Sequence, residues 1–232
     1  VGYLFLIISV VLGFTTFSPM LPYQTQLLLL GNFDQLGMPL VFPVVLLLVF
    51  LILSFLFGRV FCGYVCPVGA VQELVYLVPG KKWKITNKNI ITVFRIGFLT
   101  VLVVLATGFS IGLLRYLGLK DFFNLNIGTV FFWIFFAILV LSVFVYRPLC
   151  RLACPYGALV SLASIKGLFK LRRNENCIDC KKCGEACPTN EAGWTNSKQE
   201  CFMCNRCDAV CPVQGVGYSR KAIQKQVDEV FH

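Results

Sequence analysis

The chain has 232 residues, of which 57% are hydrophobic and 14% charged, and it carries a formal net charge of +10. A soluble domain is nearer about 45–50% apolar and about 25% charged, so the composition excludes an ordinary water-soluble enzyme and points to an α-helical membrane protein. The basic excess does not indicate a nucleic-acid partner, because Lys and Arg gather at the ends of apolar runs, where lipid headgroups meet them.

Four runs, 1–17, 39–57, 90–114 and 122–146, are nearly free of charge. Each is close to the ~20 residues that cross a bilayer core as a helix, which predicts four transmembrane helices. The first run starts at Val1 without a basic n-region and reads as a span whose upstream residues are missing, not as an intact signal peptide. Segment 18–38 has no Lys or Arg, whereas 58–89 holds Arg59, Lys81, Lys82, Lys84 and Lys88. Segment 112–121 has Arg115, Lys120 and Asp121, and Arg147, Arg151, Lys166, Lys170, Arg172 and Arg173 follow the last run. Positive residues stay on the cytoplasmic side, which predicts a multi-pass protein of the inner (cytoplasmic) membrane with everything after the fourth span in the cytoplasm.

The two halves of the apolar region repeat. LILSFLFGRVFCGYVCPVGAVQELV (51–75) aligns without a gap with LVLSVFVYRPLCRLACPYGALVSLA (139–163), 88 residues on. The identities include Ser54/Ser142, Arg59/Arg147, Cys62/Cys150, Cys66/Cys154, Pro67/Pro155, Gly69/Gly157 and Ala70/Ala158. Generic apolar helices would match at Leu and Val, not at these. The expected domain 1–164 is therefore a tandem of two-helix units, 1–80 and 90–165, related by an axis along the membrane normal. Cysteines at i and i+4 share one face of a helix, and Pro67 and Pro155 suit the first turn of a following short helix. A pseudo-twofold arrangement aims Cys62, Cys66, Cys150 and Cys154 at one another, the ligand set of a third iron–sulfur cluster at the membrane edge. A redox dithiol and a thiolate copper or zinc site remain alternatives. Arg59 and Arg147 either offset the charge of such a site or serve as interfacial anchors.

From about residue 165 the chain turns polar and cysteine-rich. Cys177-x2-Cys180-x2-Cys183-x3-Cys187-Pro188 is followed by Cys201-x2-Cys204-x2-Cys207-x3-Cys211-Pro212. Each is the C-x2-C-x2-C-x3-C-P run of bacterial [4Fe–4S] ferredoxins, in which the fourth cysteine ligates the other cluster. This assigns Cys177, Cys180, Cys183 and Cys211 to one cluster and Cys201, Cys204, Cys207 and Cys187 to a second, in a small α+β two-cluster domain over 165–220. Zinc knuckles use paired CxxC motifs and do not explain the doubled triple. Few large apolar residues lie here, so the clusters themselves must supply much of the core. A tail, 221–232, reads as a short helix that docks on a partner. The single histidine, His232, excludes bis-histidine haem, and no dinucleotide or flavin motif is present.

CGYVCPVGA, CRLACPYGA, four spans and a terminal two-cluster ferredoxin together resemble the membrane polyferredoxin family. Its members include the quinol-dehydrogenase membrane subunit of periplasmic nitrate reduction and the membrane half of nitrous-oxide reductase regulators. The resemblance covers about 40–215 and implies an electron-transfer subunit of a larger membrane redox complex. Such a subunit works between the quinone pool, or a cytoplasmic donor, and a partner redox protein. It carries over all twelve cysteines but no quinone site. For quinone, only the loop residues Tyr23, Gln24, Gln26, Asp34, Gln35, Tyr116, Lys120 and Asp121 of the external side offer polar groups. The alternative function is a metal-cofactor maturation factor like the cytochrome-oxidase assembly proteins that share CxxxCP spans.

Overall fold

Runs as apolar as these can satisfy their backbone groups in a bilayer only as helices, and each of the four contains one. The computed structural model describes residues 2–16, 41–85, 87–109, 116–165, 167–194 and 198–219. Its helices are α1 (Gly2–Thr16), α2 (Val41–Phe57), α3 (Pro67–Tyr76), α4 (Lys88–Phe109), α5 (Leu119–Phe123), α6 (Val130–Phe144) and α7 (Pro155–Ile165), followed by a small sheet and two short helices. Among the described residues one helix, over Lys88–Leu105, is long and apolar enough to cross a membrane by length and composition. The helices in the other three runs are apolar but shorter. Rows of large side chains nevertheless face outward, such as Leu4, Ile7, Ile8 and Val11 on α1 and Val93, Phe94 and Ile96 on α4.

The fourth run starts later than the sequence suggests. Residues 124–129 form a turn with Leu125 at φ 55°, and the Thr129 hydroxyl accepts the Phe132 N–H at 3.4 Å to cap α6. The turn-forming series Asn124, Asn126, Gly128 and Thr129 outweighs the apolar residues between them.

The tandem repeat is visible in three dimensions. Helix α1 packs on α3 and on the cysteine-bearing turn before it, and α4 packs on α7 and on the matching turn of the second unit. Across the units the short helices are exchanged, with α3 against α6 and α7 against α2. Chain ends are exchanged as well. Trp83 N–H caps Phe144 O at 2.8 Å, while the N–H groups of Leu168 and Phe169 cap Phe55 O at 3.2 Å and Leu56 O at 2.8 Å. These bonds satisfy carbonyls that helices α6 and α2 leave open.

The cysteine turns themselves differ from the α-helical geometry expected of an i, i+4 pair. Phe61–Val65 and Leu149–Ala153 are π-helical turns. In the first, Cys66 N–H reaches back five residues to Phe61 O at 3.0 Å. The widened turn is of the kind found at functional sites. Pro67 and Pro155 then open α3 and α7 as expected.

In the C-terminal part, β1 (Lys170–Arg173) pairs antiparallel with β2 (Val216–Ser219), with Lys170 opposite Ser219 and Arg173 opposite Val216. Between the strands lie α8 (Lys182–Ala186) and α9 (Arg206–Ala209). Its core joins Leu171, Cys183, Ala192, Met203 and Val216, with Cys187, Cys201, Cys207 and Cys211 packed against them. Lys84 donates to the Glu185 carbonyl and Lys88 lies 3.3 Å from Glu191, so the loop after α3 and this domain share one side of the helices. The tail 221–232 lies outside the described residues.

The repeated glycines allow each short helix to press on its own cysteine turn. A Cβ on Gly157 would stand 2.6 Å from Cys150 O and 3.2 Å from Cys154 Cβ, and one on Gly69 would meet Cys62 O in the same way. Gly157→Ala should therefore cost about 1–3 kcal/mol through overpacking, read as a lower unfolding temperature of the detergent-purified protein, whereas Gly97→Ala, which meets nothing, should not.

Candidate metal centres

The C-terminal cysteines surround two voids. One, of about 290 Å³, is lined by Cys177, Cys180, Cys183 and Cys211 together with Arg173 and Ile178. The other, of about 320 Å³, is lined by Cys187, Cys201, Cys204 and Cys207 together with Tyr146 and Phe202. Each void thus takes three thiols from one run and the fourth from the other. The backbone bends to allow this. Asp179 and Lys181 in the first run, and Met203 and Asn205 at the same places in the second, all have φ between 52° and 60°. Left-handed backbone is costly for residues other than glycine, and its recurrence at matching positions shows a curl that turns the three thiols inward. Amide groups meet the fourth sulfur of each run: Glu191 N–H donates to Cys187 Sγ at 3.2 Å and Gly215 N–H to Cys211 Sγ at 3.1 Å. Burial pushes the Cys201 thiol up to about 12 and the Cys207 thiol up to about 11. Such thiols persist as thiolates only against a bound cationic centre.

Cys62, Cys66, Cys150 and Cys154 are 4–6% exposed and belong to one core. Cys154 feels the charge of Cys150, Cys62 and Cys66, so the four thiols lie near one another. Gly157 N–H donates to Cys154 Sγ at 3.2 Å, and Gln72 Nε2 lies 3.5 Å from Cys150 Sγ. Among the described residues no three His, Cys, Asp or Glu side chains converge as a single ion requires. A tetrahedral zinc would draw its sulfurs to roughly 3.8 Å from one another. Sulfurs spaced around a void, as in the two C-terminal sets, suit a polynuclear cluster instead.

Arg59 and Arg147 are not interfacial anchors. They are 0% and 1% exposed, and each reaches across the repeat. Arg59 Nη2 donates to Gly157 O at 2.6 Å, whereas Arg147 donates to Cys62 O and, at 2.9 Å, to Gly63 O. Burial raises the Cys62 thiol and both guanidinium charges oppose the shift. Phe202 sits between them, its ring centre 5.1 Å from the Arg59 guanidinium and 4.8 Å from that of Arg147.

Two buried carboxylates complete the assembly. Glu73 on α3 holds Arg147 at 2.9 Å and Arg206 at 2.5 Å. Glu200, beside Cys201, pairs with Arg95, with Arg151 at 3.0 Å and with Arg59 at 3.6 Å. The repeat position of Glu73 in the second unit is Ser161, whose hydroxyl accepts from Arg95 at 2.5 Å. The second unit thus has no acid of its own there and receives Glu200 from the C-terminal domain.

The family model for a 4Fe-4S binding domain matches residues 39–86 and again 127–174. The chain is similar to this domain in two places. They lie 88 residues apart, the spacing of the internal repeat, and contain Cys62, Cys66, Cys150 and Cys154. The chain is 38% identical over 156 residues to MJ0750, an uncharacterised protein of Methanocaldococcus jannaschii, covering 61% of this chain and 63% of that one. It is 30% identical over 162 residues to YccM of Escherichia coli, named for electron transport, covering 62% and 45%. It is 29% identical over 149 residues to the ferredoxin-type protein MauN of Methylobacillus flagellatus, covering 58% and 50%. The chain spans less than two thirds of each of these relatives. No solved structure matches it. The chain is thus similar to iron–sulfur proteins of ferredoxin type.

Of the loop residues considered for quinone, 23–35 lie outside the described residues, and Tyr116, Lys120 and Asp121 stand far along the chain from any cysteine, around α5. Sequence reasoning missed Glu73, Arg95, Phe202 and Glu200. Arg95 offered a signal, being a lone cation within an apolar run, and the Glu73/Ser161 mismatch offered another.

Burial alone would raise the Glu200 carboxyl, but Arg59, Arg95 and Arg151 hold it at about 2. Its stabilising effect is therefore complete above the ordinary carboxylate range and drains away only as the pH falls toward about 2. Glu200→Gln leaves three guanidinium groups short of an anion and should cost about 3–5 kcal/mol at pH 7, measured as earlier denaturant release of the C-terminal domain, detected by limited proteolysis after α7.

Proposed function

We propose that the chain is a membrane-integral iron–sulfur electron-transfer subunit of a larger oxidoreductase complex, passing electrons between a quinone pool or cytoplasmic donor and a partner redox protein. Four transmembrane helices, α1, α2, α4 and α6, anchor it in the inner membrane with the ferredoxin domain in the cytoplasm. Cys177, Cys180, Cys183 and Cys211 hold one [4Fe–4S] cluster, Cys201, Cys204, Cys207 and Cys187 a second, and Cys62, Cys66, Cys150 and Cys154 a third. The observation that carries this reading is the crossed lining of the two voids, in which Cys211 completes the set of the first run and Cys187 that of the second. One-electron transfer is the chemistry that bound clusters supply.

The protein's own part is placement, charge and exclusion of water. Arg59 and Arg147 set positive charge beside the membrane-edge thiols. Phe202 fills the space between those thiols and the void of Cys201, and it excludes water there together with Tyr146, whose ring centre is 5.6 Å away. Cys180, exposed at the far end, offers contact with a soluble partner. Burial of the four membrane-edge thiols speaks against metal hand-over by a maturation factor, since delivery requires an accessible donor.

Iron and acid-labile sulfide analysis of anaerobically purified protein should give about twelve irons per chain. Cys62→Ser with Cys150→Ser should retain about eight, and Cys180→Ser with Cys204→Ser should lower the count while leaving the protein in the membrane fraction. About eight irons in the unaltered protein would remove the membrane-edge cluster, and fewer than four would remove the wire altogether.

A further inference from the structure

A third hollow, an open cleft, lies between the membrane-facing helix α1 and the Cys204 loop. Its lining includes Tyr3, Leu6, Tyr64, Cys204, Asn205 and Arg206. One wall is apolar and continues along the outward face of α1 through Leu4, Ile7, Ile8, Val11 and Leu12, which are 45–62% exposed. The opposite wall is polar and belongs to the loop that bears a thiol of the second void. Tyr64 gives its hydroxyl proton to Met203 O at 2.8 Å, which fixes its oxygen as an acceptor. Asn205 accepts the Tyr218 hydroxyl at Oδ1, 2.8 Å away, which leaves its amide nitrogen as the donor. Arg206 commits one terminal nitrogen to Glu73 at 2.5 Å, a carboxylate that it shares with Arg147.

We infer that this cleft is the binding site for the headgroup of an isoprenoid quinone, on the ferredoxin side of the helices and opposite the loop around α5. The chemistry selects for a neutral, flat ring. Its ring oxygens accept hydrogen bonds of the kind that the Asn205 amide and the Arg206 guanidinium supply, in hydroxyl form a ring oxygen donates to Tyr64, and its isoprenoid tail follows the apolar face of α1 into lipid. Glu73 offsets one of the two charges on Arg147 and Arg206, so an anionic phospholipid headgroup is the competing occupant, and its displacement of label is one outcome of the test. Hollows that join an apolar wall to a few placed polar groups are the usual form of small-molecule sites. The inference rests on the proposed function in one respect, that the Cys204 loop belongs to a redox site.

The test is photolabelling of the full chain in lipid nanodiscs with a short-tailed azido-ubiquinone, mapped by peptide mass spectrometry. Label should saturate, be competed by unlabelled decyl-ubiquinone, and fall on peptides containing Tyr3–Leu6, Tyr64 or Asn205–Ala209. Ala209→Trp, at an exposed position on the cleft, should weaken labelling about tenfold, and Asn205→Asp, which keeps a residue tolerant of left-handed backbone, should do the same. Both variants should keep the iron content of the parent. Unsaturable label, label confined to 116–129, or equal labelling of parent and Ala209→Trp overturns the site, as does displacement by phosphatidylglycerol but not by quinone. Loss of iron from the parent protein would instead overturn the electron-transfer reading, whatever the label shows, because peptide mapping does not depend on cluster content.

Discussion

A guanidinium can be buried only if carboxylates or carbonyls meet it, since an unpaired buried charge costs several kcal/mol. Arg59 and Arg147 are buried almost completely, and everything near the cysteines is arranged around that demand. Each arginine finds carbonyls only in the other repeat unit, so neither unit is satisfied alone. Each then needs an acid. Unit one supplies Glu73 from its own short helix, and unit two takes Glu200 from the C-terminal domain. Charge pairing therefore fixes both the closure of the two units on each other and the seat of the ferredoxin domain upon them.

The seating has a consequence for geometry. Glu200 and Phe202 flank Cys201, and Arg206 lies between Cys204 and Cys207. The residues that dock the domain are thus neighbours in sequence of the residues that line its inner void. Movement of the domain relative to the helices would disturb the thiols, and distortion of the thiol loop would break the ion pairs. Position and thiol site are held by the same short stretch of chain, with left-handed Met203 and Asn205 shaping both.

Much of this could be read from the sequence, for identifiable reasons. Apolar density located the helices, and the gapless 88-residue match located the repeat because Arg, Cys, Pro and Gly are improbable coincidences. The C-x2-C-x2-C-x3-C-P runs pointed to sets of three thiols completed by the fourth cysteine of the other run, and the two voids are lined in that way. Other features were hidden. The π turns at Phe61–Val65 and Leu149–Ala153 arise from hydrogen bonding that no residue type demands. The partners of Arg59 and Arg147 lie 98 and about 85 residues away, beyond any local pattern. Residues 124–129 were misread because isolated apolar residues masked a turn composition.

Exposure differs among the twelve thiols. Cys62, Cys66, Cys150 and Cys154 are 4–6% exposed, the thiols of the inner void are intermediate, and the outer void holds both buried Cys183 and Cys180, which is open to water. Oxidation of cysteine follows access. Oxygen or peroxide arriving from solvent meets Cys180 first, so chemical ageing of the protein should begin at that one thiol, leaving the buried four-thiol site as the most durable part of the chain.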